Sequence, residues 1–188
     1  MPDKEVNEAF YRRFKNKAEE LTVNVLRAPS REVAASLVIE QIKKLKIQKV
    51  VSTPLTLLNV NTLENYALSM GLDFSTQLDR NKIETAEIGI SEFDMGIAEL
   101  GSIFQDASHL HTRLVSMLPP IHLAVLRTAS MVESFTDALE VIEKACNGEV
   151  PPYLSFITGP SITADIEREL TIGVHGPEKL IVLCIDKD

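Results

Sequence analysis

The chain has 188 residues, 45% of them hydrophobic and 24% charged, a balance that suits one globular domain with a real core. Lys and Arg number 19 against 27 Asp and Glu, a net charge of −8 with no basic cluster to offset it, which argues against a nucleic-acid binder. No apolar run reaches membrane-span length, the start Met1-Pro2-Asp3-Lys4-Glu5-Val6 lacks a secretory apolar core, and Cys146 and Cys184 form no Cys-x-x-Cys pattern, so a reducing cytoplasm is the expected setting.

Residues 4–20 read as a first helix, an appendage in which Val6, Phe10, Phe14 and Ala18 are spaced by four. Leu21 to Leu26 alternates apolar and polar as a strand does. Pro29-Ser30 opens a second helix with Val33, Leu37, Val38, Ile42 and Leu45 on one face. Lys49 to Ser52 is a short strand, and Asn61 to Met70 a helix closed by Gly71. Residues 72–95 read as a short strand, a polar helical turn around 81–87, and a loop. Two apolar pieces around Glu99-Leu100-Gly101-Ser102 predict two strands joined by a tight turn. Pro119-Pro120 leads into a strand over His122 to Leu126. Ser134 caps a helix with Phe135, Ala138, Leu139, Ile142 and Ala145 on one face, ended by Gly148. Residues 154–157 and 180–185 are strands rich in strand formers. Strands alternating with helices, several apolar throughout, predict an α/β domain with a largely parallel sheet over residues 1–188.

Chemistry concentrates between the last two strands. In Thr158-Gly159-Pro160-Ser161, the glycine lets a ligand approach the backbone, and Ser161 and Thr163 offer neutral hydrogen-bonding groups. Asp165 and Glu167 add charge, and helix from Asp165 to Leu170 would present free amides to an anion. The competing reading is a turn in which Ser161 or Asp165 caps a helix. His175, in Gly173-Val174-His175-Gly176-Pro177, is either an acid–base or a histidine that hydrogen-bonds its own turn. Glu99 is a nucleophile or base at the rim, or an exposed acid at a strand end. Asp106, His109 and His111 make at most half a metal site, and no further ligands stand at a persuasive spacing, so no metal is expected. A lysine-bearing phosphate loop, Gly-x-Ser-x-Gly and His-Glu-x-x-His are all absent.

Four segments together resemble the LUD (lactate utilization) domain family, in particular its short lactate utilization protein C type. They are Gly96-Ile97-Ala98-Glu99-Leu100-Gly101-Ser102, the stretch from Arg113 through Pro119-Pro120 to His122, the run from Thr158 to Glu167, and Gly173 to Pro177. Their order and spacing cover about residues 86–188. The resemblance implies a three-layer α/β/α fold similar to sugar-phosphate isomerases, CoA transferases and 5-formyltetrahydrofolate cyclo-ligase. It implies a bacterial system oxidising L-lactate to pyruvate beside iron–sulfur partner proteins, in which this cluster-free type is an accessory, non-redox component. Ile162 stands where the family pattern carries Arg, and Leu100 where it carries Thr, so the rim loses a guanidinium and a hydroxyl.

The expected function is binding of a small anionic metabolite or cofactor, its identity open, at the C-terminal rim of the sheet. The expected binding residues are Gly101, Ser102, Thr158, Gly159, Pro160, Ser161, Thr163, Asp165, Glu167 and Gly176, with Glu99 and His175 as candidates for chemistry. The alternative is a stand-alone acyl-transfer, group-transfer or ligase-like enzyme using Glu99. A homo-oligomer stays open.

Overall fold

A computed structural model describes residues 6–147, 149–164 and 170–187. Its elements in chain order are α1 (Glu8–Glu20), β1 (Asn24–Ala28), α2 (Arg31–Lys44), β2 (Lys49–Ser52), α3 (Val60–Met70), β3 (Asp73–Ser75), α4 (Arg80–Thr85), β4 (Ile88–Glu92), β5 (Met95–Ile97) and β6 (Ser102–Asp106). There follow α5 (Leu110–Met117), β7 (Ile121–Arg127), a 3-10 turn at Thr128–Ser130, α6 (Phe135–Cys146), β8 (Leu154–Ile157), β9 (Ile162–Ala164), β10 (Leu170–Ile172) and β11 (Lys179–Ile185).

Six strands form one sheet in the order β1-β11-β7-β4-β2-β3, and every pairing in it is parallel. The period of two along its central strands explains the layers. Leu123 and Val125 of β7, with Ile181, Leu183 and Ile185 of β11, point to one face and pack under α2 and α3 with Val38, Ile42 and Leu63. Ala124, Leu126, Leu180, Val182 and Cys184 point to the other, against Phe14 and Ala18 of α1 and Ile103 of β6. Being buried on both faces, these strands read as continuous apolar runs. Each fully buried Leu or Ile contributes about 1.5–3 kcal/mol relative to exposure.

On the second face the covering layer is not helical throughout. β5, β6 and β8 form an antiparallel sheet whose inner residue Ile103 meets the parallel sheet. Its outer residues Met95, Ile97 and Phe104 pack under Ala138 and Ile142 of α6. Alongside, α4 and α5 cover Val51 through Ile83 and Val115.

Several elements differ in detail from the sequence reading. The first helix begins at Glu8 rather than residue 4, because Asn7 accepts hydrogen bonds from the Ala9 and Phe10 amides and caps it. The strand expected from Leu21 starts at Asn24, since Leu21 closes α1 and Thr22 takes a φ of 64°. The loop expected near residue 90 is β4, a strand in the middle of the sheet. Gly89 and Ser91 weakened its pattern, and the glycine has a tertiary reason: a Cβ there would lie 2.1 Å from the Val115 carbonyl oxygen of α5. Ser134 caps α6 in a reciprocal capping box with Asp137, whereas the left-handed residue at its end is Asn147. Gly148 lies outside the described residues.

Candidate functional site

The polar turns before and after β9 and β10 are stitched together by the backbone. The Ser161 amide donates to the Pro177 carbonyl at 2.8 Å, and the Gly173 amide donates to the Ser161 carbonyl at 2.9 Å. The His175 amide donates to Ser161 Oγ at 3.4 Å. Gly159, at a φ of 123°, and Gly173, at 84°, adopt conformations that a side chain would strain. This clasp is one wall of a cleft of about 270 Å³, formed by Gly159, Pro160, Ser161, His175, Gly176 and Pro177. Ser155 and Ile157 of β8, Ser116 and Met117 at the end of α5, and His122 and Leu180 complete it.

The cleft corrects one expectation. His122 is the second residue of β7 and Leu180 the second of β11, so the cleft lies at the amino ends of these parallel strands and not at the C-terminal rim. The loop that leaves the carboxyl end of β8 belongs to the antiparallel sheet, and that sheet delivers it to the start of β11.

Five of the expected residues therefore share this cleft: Gly159, Pro160, Ser161, His175 and Gly176. Ser102 and Thr158 bond each other, Oγ to Oγ1, at 2.7 Å and tie β6 to the clasp. Gly101, at a φ of 66°, sits against α1, where a Cβ would come within 2.4 Å of the Ala18 amide nitrogen. Glu99 is exposed, and its carboxylate accepts the Phe135 amide at the start of α6, away from the cleft lining. Thr163 lies in β9, paired with Thr171 of β10. Asp165 and Glu167 fall outside the described residues, and Leu170 is strand, not helix. Ile162 and Leu100, the two departures from the family pattern, are 53% and 40% exposed, and neither lines the cleft. Asp106 ends β6, His109 stands at the start of α5 and His111 lies in its first turn, which replaces the extended pairing of the two histidines.

The floor of the site is His122, which closes one of the four family-like segments but was given no role from the sequence. His122 is fully buried, with Nε2 2.8 Å from Ser91 Oγ of β4 and the Phe93 ring 5.6 Å away. Its Nδ1 has no hydrogen-bond partner among the described residues. Leaving a buried polar atom unsatisfied costs about 1–3 kcal/mol. Burial drives the imidazole pKa down to about 3, so His122 is neutral across the physiological range. The available signal was a histidine inside an otherwise apolar strand. By contrast Cys184, the buried thiol of β11, is pushed up to about 12 by burial and is no nucleophile.

Electrostatically the cleft is mild. Among the described residues no Lys or Arg lines it. The carboxyl end of α5 contributes Ser116 and Met117 to its wall, and a helix carries partial negative charge at that end. Its polar side chains are the hydroxyls of Ser116, Ser155 and Ser161 and the imidazoles of His122 and His175.

The chain is 38% identical over 106 residues to lactate utilization protein C of Bacillus subtilis, a match covering 55% of this chain and 44% of that protein. It is 33% identical over 141 residues to the lactate utilization protein C of Anoxybacillus flavithermus, covering 70% and 63%. The chain thus spans about half the length of curated relatives that it matches. Among solved structures, a DUF162 family protein from Deinococcus radiodurans has the same fold, with a TM-score of 0.67 over 94% of this chain and 96% of its own, at 19% identity. The family model described as the LUD domain matches residues 11–185, and the chain belongs to the LUD domain family.

Proposed function

We propose that this chain is a non-redox component of bacterial lactate utilization that binds a small 2-hydroxy or 2-oxo acid in the cleft at the amino ends of β7 and β11. The carrying observation is the cleft itself, about 270 Å³ in volume, with Ser161, His175 and Gly176 on its wall and His122 at its floor. A space of that size has room for a three-carbon acid. A lining whose described residues include no Lys or Arg also favours one negative charge over several. The relatives named lactate utilization protein C support a role in lactate utilization. Iron–sulfur partner proteins would carry the electrons, because the two cysteines of this chain lie apart on α6 and β11 and one is buried.

The group-transfer reading through Glu99 draws no comparable support, since that carboxylate caps α6 outside the cleft lining. A thermal-shift screen of the purified chain against L-lactate, pyruvate, acyl-CoAs, nucleotides and reduced folates separates the two, with Ser161→Ala and Asp165→Ala in parallel. A ligand at a hundredfold its Kd adds about 2.7 kcal/mol, which for a domain of this size raises Tm by roughly 5–10 °C. A rise with lactate or pyruvate, diminished by Ser161→Ala, is expected. A response to acyl-CoA or folate alone, or none to either acid, would overturn the proposal.

A further inference from the structure

The cleft floor holds a polar group that the fold positions firmly and leaves without a partner. Ser91 Oγ engages His122 Nε2, Phe93 packs against the imidazole ring, and Nδ1 has no partner among the described residues. A second such group lies in β6. Gln105 of β6 is 2% exposed and neither its amide nitrogen nor its oxygen finds a partner. It pairs in register with Ser155 of β8, so the two side chains share a sheet face, and Ser155 lines the cleft. Buried polar groups in folded proteins are almost always hydrogen-bonded, and an exception at the floor of a cleft calls for a ligand that satisfies it.

We infer that His122 is a ligand-binding residue: the Ser91 hydroxyl donates to Nε2, the imidazole proton resides on Nδ1, and Nδ1–H is donated to a carboxylate or carbonyl oxygen of the bound acid. This rests on the small-acid reading above and adds the residue, the tautomer and the ligand atom. Nδ1 is sealed from solvent, so binding requires a wall side chain to move. Met117 is 52% exposed and unbranched, and has the freedom to do so. Because an imidazole buried in this way stays neutral, it can donate to the acid without adding a charge to the core.

The test uses the whole chain labelled with 15N-histidine, observed by NMR with and without sodium pyruvate or sodium L-lactate, beside thermal shift. The expected result is a neutral His122 protonated on Nδ1, whose nitrogen and proton resonances move on titration with the acid. His122→Asn, which keeps an amide donor near the Nδ1 position, should retain acid binding, while His122→Gln, whose amide falls near Nε2, should weaken it about tenfold or more. Should His122→Gln fail to fold, the resonances of the unmutated chain decide. If either acid stabilises the chain but the His122 resonances stay fixed, or the proton is found on Nε2, this inference is overturned while the small-acid reading stands. If neither acid binds by either readout, both fall.

Discussion

The two ends of the parallel sheet handle their polar groups in opposite ways. At the carboxyl end the charges are consumed within the chain. Glu92, the last residue of β4, accepts from the Thr56 and Leu57 amides and the Thr56 hydroxyl in the loop after β2. Arg27 of β1 bonds Asp186 at 2.9 Å beyond β11, reaches Glu8 of α1, and lies over the Tyr11 ring. At the amino end of β7 and β11 the chain leaves a cleft whose floor imidazole is half-partnered. The carboxyl rim is the usual ligand site of open α/β sheets. Here its charged groups are spent on stability, and the opening moves to the other end because a second, antiparallel sheet brings its own loops there.

That contrast can be broken most forcefully at Gly89. A Cβ would meet the Val115 carbonyl oxygen and, at 3.0 Å, Pro119, so α5 must retreat from the sheet. Gly89→Ala should cost about 3 kcal/mol in urea unfolding and abolish stabilisation by the acid, because the end of α5 walls the cleft. Glu92→Ala should instead cost about 2 kcal/mol by stripping the partners from two loop amides, yet leave the Tm increment produced by pyruvate intact. Loss of that increment would contradict the division between the two ends.

The pH response sharpens the comparison. The folded chain keeps His122 neutral down to about pH 3, while the unfolded chain protonates it below the ordinary value of 6.5. The unfolded state then binds the extra proton, so this contribution to stability is complete above pH 6.5 and declines as pH falls from there toward 3. Between pH 6.5 and 5 the unmutated chain should lose about 2 kcal/mol more than His122→Gln, measured by denaturation at both pH values. The smallest effect belongs to Ser134→Ala, which opens the α6 capping box and should cost about 1 kcal/mol with no change in ligand response.

Local signals carried much of this molecule. Gly71 at the end of α3, Ser134 before α6, and the apolar runs of β7 and β11 specify their elements through caps, positive φ and strand propensity, all short-range physics. The same holds for the clasp, because glycine-rich polar turns between strands mark a site wherever the strands go. β4 was not legible, since its Gly89 answers to a helix carbonyl contributed from residue 115. Nor was the role of Glu99, whose partner amide is 36 residues away. The sequence by itself determined an α/β chain with a polar clasp near its end. Only the tertiary structure decided which end of the sheet that clasp closes, and that His122, the last residue of one family-like segment, forms its floor. Hydrogen bonds and burial between distant strands make that choice, and neither leaves a periodicity in the sequence.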